Sequence, residues 1–203
     1  MPTLKDVTAV LITSHPEYPK EITLDGFGEV IVKTNSTSVY ERYLQAANAK
    51  NDIIYVQDDD CITQYKELFK HYNGRITNAM VGRSKYYKEI SRGKITLVGW
   101  GTFFPKSMLD SFKKYTDVYG VDQHLLREAD RIFTWLNYPH NTIPLDRKDL
   151  GDPNGKGRMS ADPRHYESMM EAIKKLEIIA PHAEERASFV RKVVSLFKKG
   201  NLH

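Results

Sequence analysis

The chain has 203 residues, of which 40% are hydrophobic and 28% charged, so it is long enough to bury a hydrophobic core. Its composition excludes a collagen and a low-complexity disordered chain, and its single cysteine excludes an internal disulfide and fits a reducing compartment. The formal net charge of +4 is far below the clustered charge of a dedicated nucleic-acid-binding protein, and no stretch approaches the roughly 20 apolar residues of a membrane span. We therefore expect a cytoplasmic protein with no nucleic-acid partner and no transmembrane segment.

The first sixty residues alternate between strand and helix patterns. Residues 7–13 form a continuous run of apolar and β-branched side chains, which is typical of a strand buried on both faces. The patterns predict strands over 7–13, 29–33 and 53–57, a short helix over 19–24, and a longer helix that follows Asn35. This order predicts a parallel α/β fold of the nucleotide-binding type.

The rest of the chain mixes further strand patterns with amphipathic helices. We predict a helix over 63–72, strands over 75–81 and 94–99, helices over 105–115 and 121–135, a long loop over 139–163, and helices over 164–179 and 183–199. A loop of this length is often functional. We expect one catalytic domain over 1–166 and a C-terminal helical extension over 167–203 packed on the same domain, with contact between the last helix and an anionic membrane surface as the alternative.

Three consecutive aspartates, Asp58, Asp59 and Asp60, follow the third predicted strand at its carboxyl end. Open α/β sheets place their ligands at such strand ends. Three adjacent carboxylates repel one another unless a cation or strong donors compensate, and oxygen ligands at this density suit Mg²⁺ or Mn²⁺. The alternative is a helix N-cap or a solvated turn before Thr63. The position at a strand end favours the ligand site.

The early part of the chain resembles a known family. The segment FGEVIVKTN, the helix that contains Arg42-Tyr43-Leu44, and the segment DIIYVQDDDCI resemble, in this order, the nucleotide-sugar-dependent glycosyltransferases of the GT-A fold. In that family an Asp-x-Asp element follows such a strand. The resemblance covers residues 5–65 well and extends more loosely to about residue 166. It implies a GT-A, Rossmann-like mixed sheet flanked by helices.

The resemblance also implies a divalent cation and a set of donor-binding residues. Asp58 and Asp60 would hold Mn²⁺ or Mg²⁺, Asp59 would contact ribose or sugar, and His165 would be a third metal ligand. The ion would neutralise charge on the departing nucleoside diphosphate. By family frequency the donor is a UDP-sugar and the acceptor a hydroxyl group of a glycan or another molecule.

Further donor contacts are predicted at strand ends, in one helix and in the long loop. The candidates are Thr13, His15, Asn35, Arg42, Trp100, Gly101, Lys156 and Arg158. Lys156 and Arg158 would clamp the diphosphate as a closing loop. The alternatives are an ordinary Asx turn for Asn35, a solvated helical side chain for Arg42, a solvated basic turn for the loop cations, and a core position for Trp100 with its neighbours Phe103 and Phe104.

Asp122 is the predicted catalytic residue. It stands in YGVDQHLL, at the predicted start of a helix, and is similar to the acidic residue that follows the acceptor strand in this fold. In an inverting enzyme it would remove the acceptor proton; in some retaining families a comparable aspartate binds the donor sugar instead. The alternative is a helix-capping aspartate.

Two other function classes stay open. IIYVQDDDCIT also approximates the strand and Asp-x-Asp of haloacid-dehalogenase-like phosphohydrolases, in which Asp58 would be the nucleophile and Asp60 the acid/base. A non-catalytic basic binding module would use the loop and the last helix to contact an anionic partner. The sugar, the acceptor, the stereochemical outcome and the presence of fused or partner domains stay undetermined at this level.

Overall fold

The computed structural model describes residues 1–17, 19–79, 96–151 and 163–180, without the side chains of 163–166. The predicted helix over 183–199 lies outside these residues, as do Lys156, Arg158 and the rest of residues 152–162 in the predicted long loop. No helix in the described ranges is long and apolar enough to cross a membrane.

The described residues form a mixed α/β fold. The described ranges contain eight strands: β1 Val7–Ile12, β2 Glu29–Lys33, β3 Ile53–Gln57, β4 Cys61–Thr63, β5 Thr77–Ala79, β6 Thr102–Pro105, β7 Asn141–Ile143 and β8 Arg147–Asp149. The helices are α1 Glu41–Ala47, α2 Tyr65–Phe69, α3 Ser111–Tyr119, α4 Gln123–Leu136 and α5 Pro163–Ile179, with 3₁₀ turns at Leu4–Asp6, Val98–Trp100 and Lys106–Asp110. The predicted α/β class with a mixed sheet flanked by helices is confirmed.

Six strands form the main sheet in the order β2-β1-β3-β6-β5-β7. β1 pairs in parallel with both β2 and β3, whereas β6 is antiparallel to β3 and to β5. β4 and β8 form a separate antiparallel pair. The first three strands therefore end at the same edge of the sheet, and their carboxyl ends lie side by side.

The hydrophobic core occupies both faces of the sheet. On one face, side chains of α1, α3, α4 and α5 pack against alternate residues of β1, β3 and β6. On the other face, Phe27, Tyr55, Tyr65 and Phe103 form an aromatic cluster with ring centroids 4.7 to 6.4 Å apart. Since β1 is buried at every position, its continuous apolar run is explained by helices or loops covering both of its faces.

Several predicted element boundaries are wrong. Residues 19–24 form turns rather than a helix, and the predicted strand over 94–99 is absent from its described part, because Val98–Trp100 is a 3₁₀ turn and the strand follows at Thr102–Pro105. The helix predicted from residue 63 begins at Tyr65, after the short strand β4. The predicted loop over 139–163 contains β7 and β8.

Helix α5 belongs to the main core. Its buried residues Met169, Ala172, Ile173 and Leu176 lie in the same hydrophobic cluster as side chains of α4. The predicted helix over 164–179 is thus confirmed to within one residue. The division into a catalytic domain over 1–166 and a C-terminal extension over 167–203 stays a prediction.

Candidate functional site

The ends of β1 and β2 are joined by backbone hydrogen bonds beyond the strands themselves. The amide of Thr13 donates to the carbonyl oxygen of Lys33 (2.9 Å), and the amide of Asn35 donates to that of His15 (3.0 Å). Asn35 has a left-handed backbone (φ 51°), which asparagine tolerates better than most residues, and its side chain is exposed. Thr13, His15 and Asn35 therefore meet at one edge of the sheet, as predicted.

The three aspartates form the turn between β3 and β4, which we call the acidic turn (Asp58–Asp60). It precedes a strand, so the alternative of a helix N-cap is wrong. The hydroxyl of Thr13, at the end of β1, donates a hydrogen bond to the Asp59 carboxylate. The carbonyl oxygen of Asp60 accepts from the amide of Leu150, just after β8 (2.7 Å). Separate elements thus hold different parts of the turn.

Asp58 is paired with a buried arginine. Nη2 of Arg42 lies 2.5 Å from Oδ1 of Asp58, and its Nη1 lies 3.2 Å from Oδ2 of Asp130 on α4. The hydroxyl of Tyr43 donates to the other Asp130 oxygen (2.7 Å). The Arg42 side chain is only 4% exposed, so the alternative of a solvated arginine is wrong. We call these four residues the Arg42 network.

Burial and charge act against each other in this network. Burial alone would lower the pKa of Arg42, but the carboxylates of Asp130 and Asp58 raise it further than burial lowers it. Burial raises the pKa of Asp130, and Arg42 opposes that rise. Burial, followed by the neighbouring Asp130 charge, raises the pKa of the Tyr43 hydroxyl. Arg42 therefore stays charged at any physiological pH and stabilises both carboxylates.

Glycine 99 makes room for the Asp58 carboxylate. A Cβ atom built on Gly99 would lie 1.8 Å from Oδ2 of Asp58, so only glycine allows this approach. The backbone is joined here too, since the Asp58 amide donates to the Gly99 carbonyl oxygen (2.6 Å). Gly101, at φ 100°, lies against Thr63, and a Cβ there would be 2.6 Å from Thr63 Cγ2. The predicted contact region at residues 100–101 thus adjoins the acidic turn.

The segment beneath the acidic turn is buried and unreactive. The Gln57 side chain accepts from the Tyr55 hydroxyl (2.6 Å) and donates to the Cys61 carbonyl oxygen (3.0 Å), which joins the two ends of the turn. Burial raises the pKa of the Cys61 thiol to about 12, and the charges of Asp58 and Asp60 add to the effect. Cys61 is therefore a neutral thiol at physiological pH.

Trp100 is covered on one face by Arg147. The guanidinium carbon of Arg147 lies 3.8 Å from the centre of the Trp100 ring, a distance typical of cation–π stacking. β8 carries Arg147 opposite Thr63, three residues after Asp60. A positive charge thus lies beside the acidic turn. Phe103 and Phe104 are fully buried, which confirms that these two rings belong to the core.

Asp122 caps α4 and is bound to two other helices. Its carboxylate accepts hydrogen bonds from the Leu125 amide (2.8 Å) and from the Tyr115 hydroxyl (3.3 Å), and pairs with the ammonium group of Lys175 on α5. Partial burial would raise the pKa of Asp122, but the bonds to Lys175 and Leu125 lower it further than burial raises it. This carboxylate has a structural task, and its role as a base or sugar contact stays a prediction.

The structure brings most of the predicted donor residues to one edge of the sheet. Thr13 contacts Asp59, Arg42 pairs with Asp58, and Trp100 and Gly101 follow Gly99, which lies against Asp58. His15 and Asn35 lie at the ends of the neighbouring strands. The third predicted metal ligand, His165, lies in the first turn of α5, and its side chain is not described. In the described part of the chain no group of three or more histidine, cysteine or carboxylate side chains is arranged to hold a metal ion.

Two charged residues near the acidic turn escaped the sequence analysis. Asp130 lies between apolar residues of α4, and its sequence position is that of an ordinary surface residue of an amphipathic helix. Arg147 lies in a segment without apolar periodicity.

Comparisons with known proteins add little. No protein-family model matches the chain, and no curated protein matches it. Among solved structures, the chain is similar to the one titled "Crystal Structure of A197 from STIV", with a TM-score of 0.47 and 9% sequence identity over 72% of this chain and 86% of that one. A likeness at this level carries no argument about function.

Proposed function

We propose that the protein is a glycosyltransferase that transfers a sugar from a nucleoside-diphosphate donor, with UDP as the first candidate nucleotide, to a hydroxyl acceptor. The observation that carries the proposal is the position of the acidic turn at the shared edge of three parallel strands. Thr13, His15 and Asn35 lie at the neighbouring strand ends. Clefts at this edge of an α/β sheet are the usual place for a nucleotide.

In this proposal, two aspartates of the acidic turn would be ligands of a divalent cation. Asp58 and Asp60 offer hard carboxylate oxygens of the kind that Mg²⁺ and Mn²⁺ prefer, and the close approach of Gly99 leaves the Asp58 carboxylate space that any side chain would fill. These two aspartates would hold the cation, and His165 is a candidate for a further ligand. When bound, the cation would neutralise the charge that develops on the leaving diphosphate.

The other residues around the turn have separate tasks in this proposal. Thr13 orients Asp59 for a hydrogen bond with the ribose or the sugar. Arg42 is buried and paired with Asp58, so it would act through that carboxylate rather than contact the donor. Arg147, stacked on Trp100 and 3.9 Å from a carboxylate oxygen of Asp149, adds a positive charge beside the acidic turn, which would favour a diphosphate there.

The first test is a thermal-shift panel of nucleoside diphosphates and their sugars, each with and without Mn²⁺. A ligand at about 100 times its Kd adds about 2.7 kcal/mol to stability, which is roughly 5 to 10 °C for a chain of this length. We expect a shift that needs both Mn²⁺ and one nucleotide. It should be lost in Asp60→Asn and kept in Asp117→Asn, the same change at an exposed position of α3.

Each other outcome contradicts the proposal and indicates an alternative. A Mn²⁺ or Mg²⁺ effect without any nucleotide effect, together with hydrolysis of phosphate esters, would favour the phosphohydrolase. Indifference to both nucleotides and metal, with a steep salt dependence of binding to a polyanion, would favour the binding module.

A further inference from the structure

Arg42 connects the acidic turn to helix α4, and this connection has two ends. One end is Asp58, whose side chain is 36% exposed at the site. The other end is Asp130, which receives Nη1 of Arg42 and the hydroxyl of Tyr43. The third nitrogen of the guanidinium, Nε, is buried and has no acceptor among the described residues. The two terminal nitrogens therefore make the charged contacts of Arg42.

A cation that binds Asp58 competes with Arg42 for the same carboxylate. Nη2 of Arg42 lies 2.5 Å from Asp58 Oδ1, so two positive charges would face one carboxylate. A buried arginine that loses its only carboxylate is strongly destabilising, because its charge is then neither solvated nor paired. A second carboxylate on the same guanidinium removes that difficulty, since the arginine keeps one partner in both situations.

We propose that Asp130 is a positioning residue for the acidic turn, which keeps Arg42 paired when a divalent cation takes over the Asp58 carboxylate. Asp130 touches neither the cation nor the donor in this proposal and acts through Arg42. The inference rests on the proposed function to the extent that it requires a divalent cation at Asp58. It extends the site by a residue on α4 that the sequence patterns do not indicate.

The proposal predicts the sign of each substitution. In Asp130→Asn, Arg42 depends on Asp58 alone and competes more strongly with the cation, so we expect cation affinity to fall by about tenfold or more, the range found for residues that orient metal ligands. In Tyr43→Phe, Arg42 keeps both carboxylates, so affinity should stay within about twofold of the wild type. Arg42→Met removes the competitor, so affinity should not fall.

The decisive experiment is a double-mutant cycle on Arg42 and Asp130 with Mn²⁺ alone as the probe, in which the free ion is counted by electron paramagnetic resonance. We expect Asp130→Asn to weaken Mn²⁺ binding in the wild-type background and to have little effect in the Arg42→Met background, because Asp130 acts through Arg42. An equal effect in both backgrounds would overturn the proposal, since Asp130 would then act through its own charge. No effect in either background would also overturn it.

Two further readouts separate this inference from the proposed function and from a purely structural role. Wild-type protein that binds no Mn²⁺ would overturn the proposed metal site and this inference together, whereas wild-type binding that Asp130→Asn leaves unchanged would overturn this inference alone. If Arg42→Met does not fold by circular dichroism, Arg42→Lys replaces it, because a single ammonium group lacks the fork that bridges two carboxylates. A Mg²⁺ titration followed through the ¹⁵N guanidinium resonances should shift Arg42 in the wild type, and an unmoved signal at saturating Mg²⁺ would overturn the exchange of partners.

Discussion

At the scale of single residues, Gly99 determines where the Asp58 carboxylate lies. The replacement Gly99→Ala puts a methyl group 1.8 Å from Oδ2 of Asp58, so the carboxylate must leave its present position. We expect the nucleotide-dependent and Mn²⁺-dependent thermal shift to disappear while the far-ultraviolet circular dichroism spectrum stays native. The measurement is the thermal-shift panel repeated on this variant.

The matched control for this prediction is Gly74→Ala. Gly74 has φ 82° and open space around its Cβ position, so alanine there adds only backbone strain of about 1 to 2 kcal/mol. Stability should fall and the ligand response should remain. A full ligand response in Gly99→Ala would show that the Asp58 carboxylate does not need its present position.

Residue by residue, the sequence predicted positions in the fold better than it predicted side-chain partners. Thr13 and the aspartates were expected near one another because strand ends of a parallel sheet meet at one edge. Arg42 was recognised as a candidate, but its burial was not, because an arginine in a short helix is usually solvated. Asp130 was missed because its partner is 88 residues away along the chain, and one sequence carries no signal for such a pair.

At the scale of elements, Asp122 joins the start of α4 to α5. Asn is as good an N-cap as Asp, so Asp122→Asn should keep the cap and lose only the attraction to Lys175, at a cost of roughly 0.5 kcal/mol. Asp122→Ala should lose the N-cap hydrogen bond and the attraction to Lys175, which should lower the free energy of unfolding by about 1 to 2 kcal/mol. Urea denaturation at pH 6 measures the two differences.

The pH dependence of these differences has a definite sign. The pKa of Asp122 is lower in the folded protein than in the unfolded chain, where it is about 3.9. The contribution of its charge is therefore complete above about pH 4 and is lost as the pH falls through the folded pKa. We expect the gap between wild type and Asp122→Asn to be constant from about pH 5 to 7 and to shrink below about pH 4. A gap that grows in acid would contradict the ion pair with Lys175.

Elements with long apolar runs or clear helical periodicity were predicted well, whereas three-residue strands were not. β1, β2, β3, α4 and α5 match their predictions to within about two residues at each end. β4, β7 and β8 are too short and too polar to show a period. The strand predicted over 94–99 failed because the apolar run there includes a turn, which Gly99 and Gly101 allow, and the strand begins only afterwards.

At the scale of the whole molecule, α5 contributes to the central core rather than to a separate layer. Leu176 is fully buried, whereas Ile178, two residues later on the same helix, is 74% exposed. We expect Leu176→Ala to reduce the free energy of unfolding by about 2 to 5 kcal/mol and Ile178→Ala to change it by less than about 0.5 kcal/mol. Chemical denaturation of both variants measures this difference.

Equal effects of the two substitutions would show that α5 does not pack with its observed face.

The global class of the fold was predictable because alternating strand and helix patterns permit few architectures. The position of the antiparallel strand β6 between β3 and β5 could not be predicted, because strand order depends on pairing between distant segments.

The strand order also constrains the sequence of events by which the protein assembles during synthesis. β5 precedes β6 in the chain, yet both strand neighbours of β5 in the main sheet, β6 and β7, are made after it. The three parallel strands can associate as soon as residue 57 has left the ribosome, whereas β5 must wait for later segments. The hydrogen bond from Asp58 to Gly99 forms only when the segment leading into β6 docks against β3. In a nascent chain released before that point, the amide of Asp58 would lack its hydrogen-bond acceptor, the Gly99 carbonyl oxygen.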